Sequence, residues 1–194
     1  MEKIKLGIFE VFTYILPGFF VVTGIYLLIY GTEDVISVLI DKSRDISLAQ
    51  SILFLLTCYI LGFINQYTAY ELFKVLGNRI WKQRMQCHET SFGKMENEIS
   101  QIRHFSPNNF NALHRWFALR AMCYGLFQAM LFFDMVLLVS TIQNNHWSNQ
   151  RVVLLLVSGV MAILFLRRAV TFHEWSHRTI KYTIKHLDEF KKFQ

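Results

Sequence analysis

Val11-Phe-Thr-Tyr-Ile-Leu-Pro17-Gly18-Phe-Phe-Val-Val-Thr-Gly-Ile-Tyr-Leu-Leu-Ile-Tyr30 carries no charged side chain. At about 1.5 Å per residue, this stretch forms a helix of about 30 Å, the thickness of a bilayer's hydrocarbon core. Lys3 and Lys5 precede it, as in a signal peptide. The apolar run is too long for one, however, and no small-x-small cleavage site follows. The stretch therefore reads as an uncleaved anchor helix, kinked where Pro17-Gly18 interrupts it.

The rest of the chain agrees with a membrane reading. Of 194 residues, 53% are hydrophobic and only 18% charged, against about 25% charged in ordinary soluble domains. A chain this small has too little interior to hide that much apolar surface, which argues against a soluble enzyme. The composition also excludes a disordered chain. The net charge of +6 suits a membrane surface or a nucleic acid. Cys58 and Cys123 sit in apolar runs and Cys87 stands beside His88, so there is no CxxC pair and no disulfide framework.

A second uncharged stretch runs from Ile46 to Tyr70 and is also long enough to span. The connection before it holds Glu33, Asp34, Asp41 and Asp45 against Lys42 and Arg44. That acidic balance predicts an outside-facing loop. From Glu71 to Arg120 the net charge is +4, which predicts the cytoplasmic side. Here the pattern predicts a helix from about Glu71 to Met85, a polar loop, and a short helix ending near Arg103. Ser106-Pro107 then supplies an N-cap and a first helical position for a helix running to about Thr141.

Two further apolar segments admit two topologies. Ala121–Gln143 contains Asp134, and Val152–Leu166 has only 15 residues between Arg151 and Arg167. A charge in lipid is costly and 15 residues make a short span. Both features favour an N-terminal two-helix anchor, residues 1–70, followed by a helical cytoplasmic region, residues 71–194. The alternative is four transmembrane helices. Either way the fold class is all-α, with both termini in the cytoplasm. Residues 167–194 read as a basic amphipathic helix, with Arg178, Lys181 and Lys185 on one side and Ile180, Ile184 and Leu187 on another.

Two motifs stand near the C-terminal end. His173-Glu174-Trp175-Ser176-His177 matches H-E-x-x-H, in which two histidines on one helical face hold zinc and the glutamate is the general base. A third ligand is missing nearby: His186 lies about 220° round the helix from His173, which leaves His146 or His104 from upstream. Glu174 has a simpler role as the ion-pair partner of Arg178, four residues on. No metal and no cofactor are expected.

Arg168-Ala-Val-Thr-Phe-His173 matches the R-x4-H element of HEPN ribonucleases. There the arginine steadies the scissile phosphate and the histidine serves in acid–base chemistry. Five positions apart, the two residues lie about 140° round a helix, so they meet only across protomers. With the anchor Tyr14-Ile-Leu-Pro17-Gly18-Phe, the whole chain resembles the defence-enhancing membrane accessory proteins of type VI-B RNA-targeting CRISPR systems.

That resemblance implies a ring-like, homo-oligomeric pore in the bacterial inner membrane. It would work with an RNA-guided effector and strengthen antiphage immunity by permeabilising or depolarising the membrane. It implies a HEPN-like cytoplasmic bundle in which Arg168 and His173 pack protomers; Ala169 departs from the polar residue usual after the arginine. Asn65, Gln66, Gln128 and Asp134 are the candidates for a polar lining. Other readings are a membrane-anchored HEPN ribonuclease contacting RNA directly, an H-E-x-x-H zinc protease, or a non-enzymatic adaptor binding a partner through Glu71–Arg120.

Overall fold

The computed structural model describes residues 2–30, 47–85, 92–143 and 147–187. The acidic connection at 31–46, Cys87-His88, His146, Asp188 and Glu189 lie outside these residues. Every element is helical: α1 (Glu2–Tyr30), α2 (Leu48–Ile80), α3 (Lys82–Met85), α4 (Phe92–Phe105), α5 (Pro107–Gln143) and α6 (Asn149–Lys185). There is no strand among the described residues.

Local chemistry sets the helix starts. Ser47 caps α2 through a reciprocal box: its hydroxyl accepts from the Gln50 N–H, and the Gln50 side chain accepts from the Ser47 N–H. Ser148 caps α6 by accepting from the Arg151 N–H. Pro107 opens α5 directly after Ser106, as the sequence predicts.

Four helices, α1, α2, α5 and α6, are long and apolar enough to cross a membrane among the described residues. The two-helix anchor is thus not the only hydrophobic unit. The fourth apolar segment, Val152–Leu166, keeps its 15 residues but is the first half of a 37-residue helix, about 55 Å long. Residue 70 falls inside α2, which continues unbroken to Ile80 instead of restarting at Glu71. The kink-prone Pro17 lies inside α1 and is buried.

The packing leaves a wide apolar surface. On α2, Leu53 is 64% exposed and Phe63 60%. On α6, Val153, Leu156, Val160 and Ile163 are also exposed. Soluble monomers rarely present so large a continuous apolar face, whereas a bilayer solvates it. The inward stripe of α2 is Cys58, Gly62, Asn65, Ala69, Phe73 and Gly77, at steps of three or four residues. Gly18 and Gly62 let α1 and α2 cross at backbone distance. A Cβ on Gly18 would stand 1.7 Å from the Cys58 carbonyl oxygen, and one on Gly62 would stand 1.8 Å from that of Tyr14.

Three apolar clusters hold the helices. Leu27 of α1 packs on Phe133, Val136 and Leu137 of α5. Phe73, Cys123, Phe127, Met130, Ala162 and Leu166 join α2, α5 and α6. Beyond the apolar segments, the surplus lengths of α2, α5 and α6 protrude at one end. There Ile102 of α4 meets Leu113 of α5 and Ile180 of α6. Leu187 is also buried and Ile184 packs beside Ile180, while Arg178, Lys181 and Lys185 are exposed, so the tail is amphipathic over its described residues, to Leu187; residues 188–194 lie outside them.

Candidate functional site

The polar residues of the apolar region begin with a defect in α1. Pro17 has no N–H, so the Thr13 carbonyl loses its donor four residues on. Lipid offers no replacement. Gln66 of α2 supplies one: its Nε2 donates to the Thr13 oxygen at 3.1 Å and to the Ala121 oxygen of α5 at 3.2 Å. Asn65 Nδ2, one residue earlier, donates to the Gly125 oxygen at 3.0 Å. Glycine at 125 leaves room for this contact: a Cβ would come within 2.9 Å of Gln66 Nε2 and 3.1 Å of the Pro17 ring, so the amide would have to shift. Within one protomer, Asn65 and Gln66 therefore tie three helices together.

Gln128 and Asp134 lie elsewhere on α5. Gln128 Nε2 donates to Thr68 Oγ1 of α2 at 2.7 Å, in an exposed pair, while its own Oε1 is buried without a partner. Asp134 Oδ1 accepts from Ser158 Oγ of α6, and the same hydroxyl lies 2.6 Å from the Leu154 oxygen. The hydroxyl lies between a carboxylate of α5 and a carbonyl of its own helix. The aspartate that argued against a span is thus provided with a partner from the neighbouring helix.

Outside the apolar segments, His173 is the centre of a polar junction. Arg120 Nη1 lies 3.0 Å from His173 Nδ1. Arginine can only donate, so Nδ1 accepts and the neutral ring's proton sits on Nε2. A hydrogen bond to the Met85 backbone engages the imidazole from α3. Burial, then the charge of Arg120, then His177 push the imidazole down to about 3, so it is neutral at pH 7. Arg120 also lies over the Phe117 ring at 5.0 Å, and its Nε is buried without a partner. The sequence shows no sign of this junction beyond an arginine at the edge of an apolar run.

Arg168 and His173 do not meet within the chain. Arg168 lies 4.6 Å from the Phe172 ring centre and 5.2 Å from that of Trp175, with Trp116 stacked on Phe172. His173 faces Arg120, Phe73 and His177 instead. In the H-E-x-x-H stretch, Glu174 pairs with Arg178, as its spacing predicts, and with Arg84 at 3.6 Å. His173 and His177 are neighbours, with ring centres 4.4 Å apart. Among the described residues no group of three histidine, cysteine or acidic side chains gathers there, and both sides of the His173 ring are already engaged.

Fold and contacts together define an all-helical protein with four helices able to span a membrane. Comparison with known proteins finds no matching family model, no matching curated protein and no matching solved structure.

Proposed function

We propose that several copies of this chain assemble in the bacterial cytoplasmic membrane into a ring-like pore, with both termini in the cytoplasm. The pore would permeabilise or depolarise the membrane and so strengthen RNA-guided antiphage defence, as the resemblance to the type VI-B accessory proteins implies. The protruding ends of α2, α4, α5 and α6 would form its HEPN-like cytoplasmic part.

One observation carries this reading. Thr68 and Gln128 form an exposed polar pair on the α2–α5 seam, next to the apolar residues of α5, with Thr68 outermost and the Gln128 oxygen enclosed within the protomer. A polar pair facing lipid is unfavourable, whereas another copy or an aqueous path supplies it with partners. The four helices also pack on one another without the exposed faces of α2 and α6, which leaves those faces available to another copy. A ribonuclease finds less support, because the Arg168 and His173 side chains face different neighbours and the His173 ring titrates far below neutrality.

The test combines light scattering of the detergent-solubilised protein, corrected for detergent, with ion leakage from liposomes. A single defined higher oligomer that leaks, and leaks less as Gln128→Leu, is the expected result. A monomer or dimer in tight liposomes would sink the proposal.

A further inference from the structure

We infer that the end of the α6 span is a binding site for an anionic phospholipid. Arg167 and Arg168 close the apolar segment, and both are exposed. Among the described residues neither guanidinium meets a carboxylate: the ion pairs at this end are those of Glu174 with Arg84 and Arg178. With Leu164, Phe165 and Thr171 the two arginines line one open groove on α6.

The groove is built to hold a phosphate. The Arg168 guanidinium is fixed by two aromatic rings, Phe172 and Trp175. Stacking occupies the face of a guanidinium and leaves its in-plane N–H groups free to donate. Those donors have no partner within the chain among the described residues, and a planar fork matches phosphate oxygens. Arg167, one position away, adds a second charge that no aromatic ring holds.

The occupant must also be apolar. From Arg168 the same face of α6 runs into the membrane as Leu164, Val160 and Val157, spaced seven to eight residues over two turns. These side chains are 50%, 55% and 55% exposed. An acyl chain lying along them would place its headgroup at the arginines. RNA or an acidic protein segment would satisfy the charges and leave the track bare. The site stands apart from the proposed pore, since it concerns one helix of one protomer and needs no path between copies.

The test uses the full-length protein in a neutral detergent and counts retained lipid by native mass spectrometry, with phosphatidylglycerol and phosphatidylcholine as probes. Phosphatidylglycerol should be retained and phosphatidylcholine washed away. Arg167→Gln and Arg168→Gln should each weaken retention about fivefold, and Arg168→Lys should lose less. Arg167 stacks on nothing, so Arg167→Gln decides the matter alone if Arg168→Gln fails to fold by circular dichroism. Equal retention of both lipids, undiminished retention in Arg167→Gln, or displacement by millimolar inorganic phosphate would overturn the inference.

Discussion

Gln66 is the residue whose loss tests the architecture most directly. Its amide replaces the donor that Pro17 denies to the Thr13 carbonyl. In Gln66→Leu that carbonyl loses the donor that replaces the missing proline N–H, which costs about 1–3 kcal/mol. The Ala121 carbonyl also loses Gln66, but it keeps its own helical position, so about 0.6 kcal/mol is the fitting figure there. Against this, the substitution removes Gln66 Oε1, a buried acceptor that has no partner and whose removal is favourable. The single variant should therefore lose only about 1–2 kcal/mol. The decisive quantity is the coupling with Pro17→Ala, which restores an N–H to the Thr13 carbonyl. In that background Gln66→Leu should cost little, leaving a coupling of about 1–2 kcal/mol. Any void left by the Pro17 ring against Gly125 occurs in both legs of the cycle and cancels. Unfolding by SDS titration in mixed micelles, followed by tryptophan fluorescence on all four proteins, gives the numbers. A coupling below about 0.5 kcal/mol would mean that the amide does not serve the proline's carbonyl.

Other perturbations have equally definite outcomes. Gly62→Ala should cost about 3 kcal/mol or more in the same titration, because its Cβ would overlap the Tyr14 carbonyl oxygen and neither backbone can yield. Gly159→Ala, whose Cβ would lie 3.8 Å from Asp134 Oδ2, should be neutral or stabilising. Acid should weaken the fold through His173. Its pKa is near 3 when folded and about 6.5 when unfolded, so its contribution is complete above pH 6.5 and declines as pH falls from there toward 3. At its steepest that decline is about 1.4 kcal/mol per pH unit. His173→Asn keeps an acceptor for Arg120 and cannot titrate, so its melting temperature should fall less between pH 7 and 5; equal slopes would refute the assignment. Glu174→Gln should cost under about 1 kcal/mol, since Arg178 and Arg84 are 74% and 47% exposed and solvent screens the pairs. A loss several times larger would point to a role for Glu174 beyond the ion pair.

What could be read from the sequence follows a simple physical division. Apolar runs, caps and i,i+4 pairs are local, and they were legible: Ser106-Pro107 begins a helix, Glu174 meets Arg178, and Ile180 turns inward. Relations between helices were not. Asp134 argued for a soluble helix only while its partner was unknown, and that partner, Ser158, lies 24 residues away on the next helix. Gln66 resembled a lining residue because nothing near it needed a donor; the need arises at Thr13, 53 residues earlier, from the ring of Pro17. The fourth segment shows a different division. Arg167 and Arg168 mark where the apolar run ends, whereas the helix continues because backbone hydrogen bonding is indifferent to the solvent outside it.

The same division explains why the polar side chains are so unevenly used. In a membrane the hydrophobic effect does not draw helices together, so packing and hydrogen bonds must specify their arrangement. Here Gly18 against Gly62 sets the distance between α1 and α2, and the Thr13 carbonyl that Pro17 leaves without its helical donor accepts from Gln66 across the same contact. Gly125 then brings α5 to the same point, where Asn65 and Gln66 bind its carbonyls. A proline, three glycines and two amides thus fix three helices at one level. With those amides committed inside the protomer, the proposed contact between copies draws on other polar groups, among them the exposed Thr68–Gln128 pair and the partly buried Asp134. Substitution of Gln128 then tests whether a path forms along the α2–α5 seam, because that pair lies on it.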